Sequence, residues 1–231
     1  MIKISTKKYF LLFISLLMLF IISACGNIGQ NNNSVNSEIE EDNIRIAAVG
    51  DSITAEFIPE VSYPTILEEM LGKGYTVQNF GVSNYAAQSS SDFPYATTDL
   101  YKKSLAFDPN IVIIMLGTND TKANNWSGSE EFKEEYTMLL ESYLELESIS
   151  RVILASPPTA FLENIFEGSI DPDNIEPIRD VVNEIAEEYE LEFVDMTEHT
   201  ANHPEWFFDG IHPNSEGAEE IAQIFYKQIQ E

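Results

Sequence analysis

Four short stretches of the chain carry residue types that can do chemistry. Gly50-Asp51-Ser52-Ile53-Thr54 offers a serine hydroxyl and Asn79-Phe80-Gly81 a glycine whose N–H no side chain obstructs. Gly117-Thr118-Asn119-Asp120 adds an amide, and Asp209-Gly210-Ile211-His212-Pro213 sets a carboxylate three residues before an imidazole. A serine hydroxyl is a poor nucleophile near neutral pH and needs a base to take its proton as it attacks a carbonyl. Histidine can do this, because its unperturbed pKa of about 6.5 lets it accept a proton and later return it. A carboxylate at the other ring nitrogen fixes the tautomer, and pre-placed donors stabilise the negative oxygen that attack creates. Taken singly, the same residues have plainer readings: a turn serine, a turn glycine, a loop or cap pair and a surface His-Pro. A second chemistry is also open, with Asp51, Asp120, Asp209 and His212 around a divalent ion. It leaves the Ser, Gly and Asn positions without a purpose.

The elements between these stretches say where they must lie. Ile44–Val49, Tyr75–Phe80, Ile111–Leu116, Arg151–Ala155 and Leu191–Val194 read as five strands. The third has no polar alternation, as expected of a central strand buried on both faces. Phe132, Tyr136, Leu139, Leu140, Tyr143 and Leu144 share one helical face, as do Ile175, Ile178, Val181, Val182, Ile185 and Ala186. A helix from Pro64 should stop near Gly72-Lys73-Gly74, Ser127 with Glu130 could cap another, and a last helix should follow Asn214. Such alternation argues for an α/β fold, a parallel sheet with helices on both faces. Ligands in such sheets bind at the carboxyl ends of the strands, where three of the four stretches fall.

In that order, Gly50-Asp51-Ser52, Gly81, Gly117-Thr118-Asn119-Asp120 and Asp209-Gly210-Ile211-His212-Pro213 resemble the four blocks of the GDSL/SGNH hydrolase superfamily. The resemblance spans about residues 45 to 228. It implies a three-layer α/β/α sandwich with a five-stranded parallel sheet, the flavodoxin-like arrangement of that superfamily. It also implies Ser52 as nucleophile, His212 as general base and Asp209 as the group that orients it. The N–H groups of Ser52 and Gly81 and the amide of Asn119 would form the oxyanion hole, with no metal or cofactor. With Tyr63-Pro64 and Asn125-Trp126, the blocks look most similar to members that remove small acyl groups, often acetyl, from carbohydrate. The enzymatic alternative is a lipase or thioesterase, and the non-enzymatic one a lipoprotein that binds glycan. One departure concerns the pocket wall: Asn84-Tyr85 follow Gly-Val-Ser, where many relatives have a small residue or Gly.

Other residues have more modest readings. Asp51 and Asp120 are expected to bond nearby loop backbone. His199 and His203 read as structural or solvated. Trp126 and Trp206 are candidates for a substrate pocket, though such aromatics are more often core.

The 12 Lys+Arg against 39 Asp+Glu give a formal charge of −27, which excludes the basic footprint that nucleic-acid binding needs. The single Cys25 cannot form an internal disulfide or by itself a thiolate metal site. Lys3, Lys7 and Lys8, the apolar run Tyr9 to Ile22 and Ser23-Ala24 make a secretory signal over residues 1–24. The run is too short for a spanning helix. Ile22-Ser23-Ala24-Cys25 resembles the bacterial lipobox, which implies lipid attachment at Cys25 and a location on the outer side of the cell membrane. Residues 25–43, polar with three consecutive Asn, read as a flexible tether, and residues 44–231 as the hydrolase domain.

Overall fold

A computed structural model describes residues 43–56, 62–161 and 169–231 of the 231-residue chain. The signal segment, Cys25 and the tether up to residue 42 lie outside the described residues.

Five strands, β1 (Ile44–Gly50), β2 (Tyr75–Gly81), β3 (Ile111–Met115), β4 (Arg151–Ala155) and β5 (Glu192–Val194), form one sheet in the order β2-β1-β3-β4-β5. Every neighbouring pair is parallel. β3 is the middle strand and is buried along its whole length, as its unbroken apolar sequence requires. Its side chains alternate between two cores: Ile111, Ile113 and Met115 face one, Val112 and Ile114 the other. Each such fully buried side chain contributes roughly 1.5–3 kcal/mol relative to exposure.

The first core is closed by α1 (Tyr63–Leu71) and α6 (Ser215–Gln230), which bring Leu67, Ile221, Ala222 and Phe225 against the sheet. The second is closed by α3 (Ser129–Leu144) and α4 (Ile175–Glu188), with α2 (Asp99–Ala106) at its edge. A short α5 (Met196–Thr200) follows β5. Helices thus cover both faces, and the architecture is the three-layer α/β/α sandwich.

The helix signals hold at most ends. α1 has Pro64 in its first turn and stops at Gly72 with φ 67°, and Asn214 caps α6 by accepting from the Gly217 N–H at 3.0 Å. The start of α3 differs. Gly128, at φ 115°, takes the N-cap without a side-chain bond, so Ser127 and Glu130 form no capping box. Glu130 and Glu131 fall instead in the first turn, where carboxylates suit the helix dipole.

The chain leaves β1 for β2 on one side and crosses back to β3 on the other. The crevice outside the ends of β1 and β3 is therefore the topological switch point, where open α/β sheets bind ligands. Ser52 follows β1 and Asn119 follows β3.

Candidate active site

Ser52 sits in a tight turn beyond β1. The Ala55 N–H donates to the Asp51 carbonyl at 2.9 Å, and the Ile53 N–H to Asp51 Oδ1 at 2.9 Å. The loop before α6 brings up its partners. Ser52 Oγ lies 2.7 Å from His212 Nε2, and His212 Nδ1 lies 2.7 Å from Asp209 Oδ2. Asp209 Oδ1 accepts the N–H groups of Ile211 and His212 at 3.0 and 2.7 Å, so the carboxyl holds both the loop and the ring. An aspartate oxygen can only accept from the ring, which places a proton on Nδ1 and leaves Nε2 to accept from Ser52. All three residues are buried. The structure thus joins Ser52 to Asp209 and His212 across some 160 residues of sequence.

A cavity of about 140 Å³ opens over Ser52. Ile170 and Ile211 give it apolar walls, and Asn84, Asn119 and Lys122 a polar one. Its volume is close to the roughly 150 Å³ that accommodates a benzene ring in a protein core.

Gly81, expected to present its N–H to this space, does not line it. Its N–H donates to Asn79 Oδ1 at 2.8 Å. The glycine is required for another reason: a Cβ there would collide with the backbone of Thr54 and Ala55, next to the Ser52 turn. Asn84, three residues on, takes the place by the cavity. It holds φ 76°, a left-handed conformation in which Asn is among the few tolerated side chains. Among the described residues, the N–H groups of Asn84 and Ser52 meet no protein acceptor. The sequence did hold a sign of this, an Asn where many relatives have a small residue or Gly. Asn119 is buried and lines the cavity, its Nδ2 donating to the Tyr85 carbonyl at 3.1 Å and lying 3.5 Å from Asp51 Oδ2.

Residues 48–220 match the GDSL-like lipase/acylhydrolase family. The chain belongs to that family. It is 32% identical over 213 residues to an acetylxylan esterase of Xylanibacter ruminicola, a match covering 82% of this chain. The chain spans only 44% of that relative's length. Among solved structures it resembles a lipase/acylhydrolase from Enterococcus faecalis, with TM-score 0.67, 21% identity and coverage of 80% of this chain and 95% of the other. It also resembles a carbohydrate acetylesterase from Sinorhizobium meliloti, with TM-score 0.64, 19% identity and coverage of 80% and 98%. At these identities the two structures speak for the fold.

Within this GDSL fold the remaining candidates separate. Asp51 and Asp120 are fully buried. Asp51 bonds to its own turn, as expected, whereas Asp120 reaches the N–H groups of Ala87 and Gln88 at 3.0 and 2.9 Å, over 30 residues away. Burial pushes their carboxyls up to about 6 and about 7, against the lowering effect of those backbone bonds. Asp51, Asp120, Asp209 and His212 do not converge: among the described residues no three His, Cys, Asp or Glu gather as metal ligands would.

Trp126 and Trp206 do not line the cavity. Trp126 packs on Phe132 with ring centroids 6.0 Å apart, against the second core. Trp206 stacks on His203 at 3.7 Å, and His203 Nδ1 pairs with Glu205 at 2.9 Å, so this His belongs to a surface cluster. The neighbour of Trp126 matters more. Asn125 Nδ2 donates to the Asn119 carbonyl and to Asp92 Oδ1, both at 2.9 Å, tying the loop after β2 to the loop after β3.

Proposed function

We propose that this GDSL-family chain is an exported serine esterase that removes small acyl groups, acetyl above all, from carbohydrate. The observation that carries the reading is the Ser52, His212, Asp209 relay, with both links at 2.7 Å, beneath a small cavity. Ser52 Oγ attacks the ester carbonyl carbon while its proton passes to His212 Nε2. The carbonyl becomes a tetrahedral oxyanion, held by the N–H groups of Ser52 and Asn84 and the amide of Asn119. The C–O bond to the alcohol then breaks, and His212 returns the proton to the departing oxygen. Water attacks the acyl-enzyme by the same route, its proton taken by His212, and releases the acid with Ser52 restored. Protein groups and water suffice for each step.

A cavity of about 140 Å³ has room for a small acyl group such as acetyl. The acetylxylan esterase relative supports a carbohydrate as the alcohol part. Hydrolysis of p-nitrophenyl esters of increasing chain length, with acetylated sugars and polysaccharides, tests this in wild type and S52A. The expected result is a preference for acetyl that S52A abolishes. A preference for octanoyl or longer esters would instead mark a lipase-like enzyme, and binding of glycan without turnover a lectin-like lipoprotein.

Residues 1–24 would direct export, and a diacylated Cys25 with the tether to residue 43 would hold domain 44–231 outside the membrane. Two acyl chains suffice for stable anchoring, at about 0.8 kcal/mol per buried methylene. Among the described residues no helix is long and apolar enough to cross a membrane. Mass spectrometry of the membrane-extracted protein should find a lipid-modified Cys25 as the first residue; an unmodified Cys25 would end the anchoring proposal.

A further inference from the structure

Lys122 is unusual for a lysine in a polar loop. It is only 7% exposed, and it lines the cavity beside Ser52. Among the described residues lining that cavity it is the one Lys or Arg, and none of them is an Asp or Glu. Its Nζ donates to Asn84 Oδ1 at 2.6 Å and stands 4.0 Å from Asp92 Oδ2. Asp92 is itself fixed by Asn125, which accepts from the Asp92 N–H at 3.0 Å and donates to its carboxyl at 2.9 Å. Burial opposes the Asp92 charge, but the Asn125 bond and then the Lys122 ammonium outweigh it and hold the carboxyl below the usual range.

The bond to Asn84 is the important one. Asn84 lies in the left-handed region at φ 76°, where any side chain but glycine pays a steric cost that Asn only partly escapes. It is also exposed, so side-chain packing does not enforce the conformation; the turn itself is closed by the Tyr85 N–H, which donates to the Val82 carbonyl at 3.3 Å. The Lys122 ammonium is the polar group that grips its side chain, from a stem that is nearly enclosed. The Lys122 carbonyl in turn accepts the N–H groups of Asn125 and Trp126, both at 2.8 Å, which fixes the backbone from which the stem projects.

We infer that Lys122 is a positioning residue for the oxyanion hole: it holds the Asn84 side chain and thereby the left-handed turn that presents the Asn84 N–H to the cavity. The inference rests on the ester-hydrolysis reading above. A glycine at this point would adopt positive φ without help. An asparagine adopts it less readily than glycine, and a lysine on the next strand's loop adds a hold on it. Without it the turn relaxes toward the commoner extended backbone and the N–H leaves the site. Ground-state binding is then little affected, because the donor acts on the charge that develops during attack.

A double-mutant cycle on an acetyl ester tests the mechanism, with K122M, N84G, the double variant and S52A assayed together and their melting temperatures recorded. K122M should lower kcat by about tenfold or more and leave KM within about threefold. In the N84G background the same K122M change should alter kcat by less than about twofold, because glycine has no side chain to hold and needs none. An equal loss in both backgrounds would overturn the inference, since Lys122 would then act by charge or by general stability. No loss in the wild-type background would overturn it as well. N84A provides a test that leaves Lys122 in place: it should fall about tenfold below N84G in kcat, whereas equal values would refute the conformational argument. S52A separates the two levels of the proposal. Activity in S52A would remove the Ser52 acyl-enzyme reading on which the inference rests, while an inactive S52A with an additive cycle would remove only the role of Lys122.

Discussion

The Asp209 carboxyl carries two tasks in one short loop. One oxygen accepts the N–H groups of Ile211 and His212, and the other faces His212 Nδ1. An asparagine would keep the shape but could turn its amide N–H groups toward the ring, leaving Nδ1 to accept and Nε2 to carry the proton. That tautomer cannot take a proton from Ser52. D209N is therefore expected to lower kcat by about 10³- to 10⁴-fold on a small acyl ester, with a much smaller change in KM. Steady-state kinetics check this, and a loss under about tenfold would show that His212 works without its carboxyl partner. Ser52, Asn119, Asp209 and His212 are legible in the sequence because each lies in a block whose neighbours form its turn. Lys122 is not legible in this way. Nothing in the sequence singles it out until the fold brings back Asn84, 38 residues earlier, to meet it. Asn84 is legible only in part, since a departure from Gly can be seen but the left-handed backbone behind it cannot.

Elements decide whether those residues meet, and the end of β2 shows how. Gly81 pairs with Gly50 across the sheet, and its α-carbon lies against the Thr54–Ala55 backbone, in the turn that carries Ser52. Asn79 Nδ2 donates to the Thr54 carbonyl at 2.7 Å and clamps the same turn from the same strand. G81A would press a methyl into that backbone and push the turn outward. Overpacking of this kind typically costs about 1–3 kcal/mol. The expected outcome is a lower melting temperature together with a lower kcat, read by thermal unfolding and kinetics on one preparation. A G81A protein as stable as wild type would mean that the turn has room to yield. The strands themselves are legible from apolar runs, and the helices from periodicity, because burial imposes both patterns. Trp126 shows the limit of such reading. Its place beside the Asn119 block suggests a pocket, but the side chain can turn either toward the cavity or toward Phe132, and packing against the second core decides it.

At the scale of the whole molecule, charge dominates the composition but a few buried carboxyls control the response to pH. Removal of residues 1–24 would leave nine basic residues against 39 acidic, a formal charge of −30. That field disfavours anionic substrates and suits neutral esters. Most of the described acids are exposed to solvent. Asp120 is different: burial, reinforced by the nearby Asp51 charge, holds its carboxyl at about 7 despite two backbone N–H bonds, against 3.8 for an unperturbed aspartate. Between those values the folded chain keeps a proton that the unfolded chain has lost, so stability falls as pH rises. The contribution is fully present below about pH 4 and is lost as pH passes through about 7. Asp51, pushed up to about 6, acts with the same sign. Urea unfolding at pH 5 and pH 8 should therefore show wild type losing stability on the order of a few kcal/mol. D120N cannot titrate, so although one of its two backbone N–H bonds is compromised at every pH, its loss between the two pH values should be clearly smaller. The slope rather than the absolute stability carries the test. Equal slopes in the two proteins would assign the pH response to the surface charge, and the buried carboxyl would have no part in it.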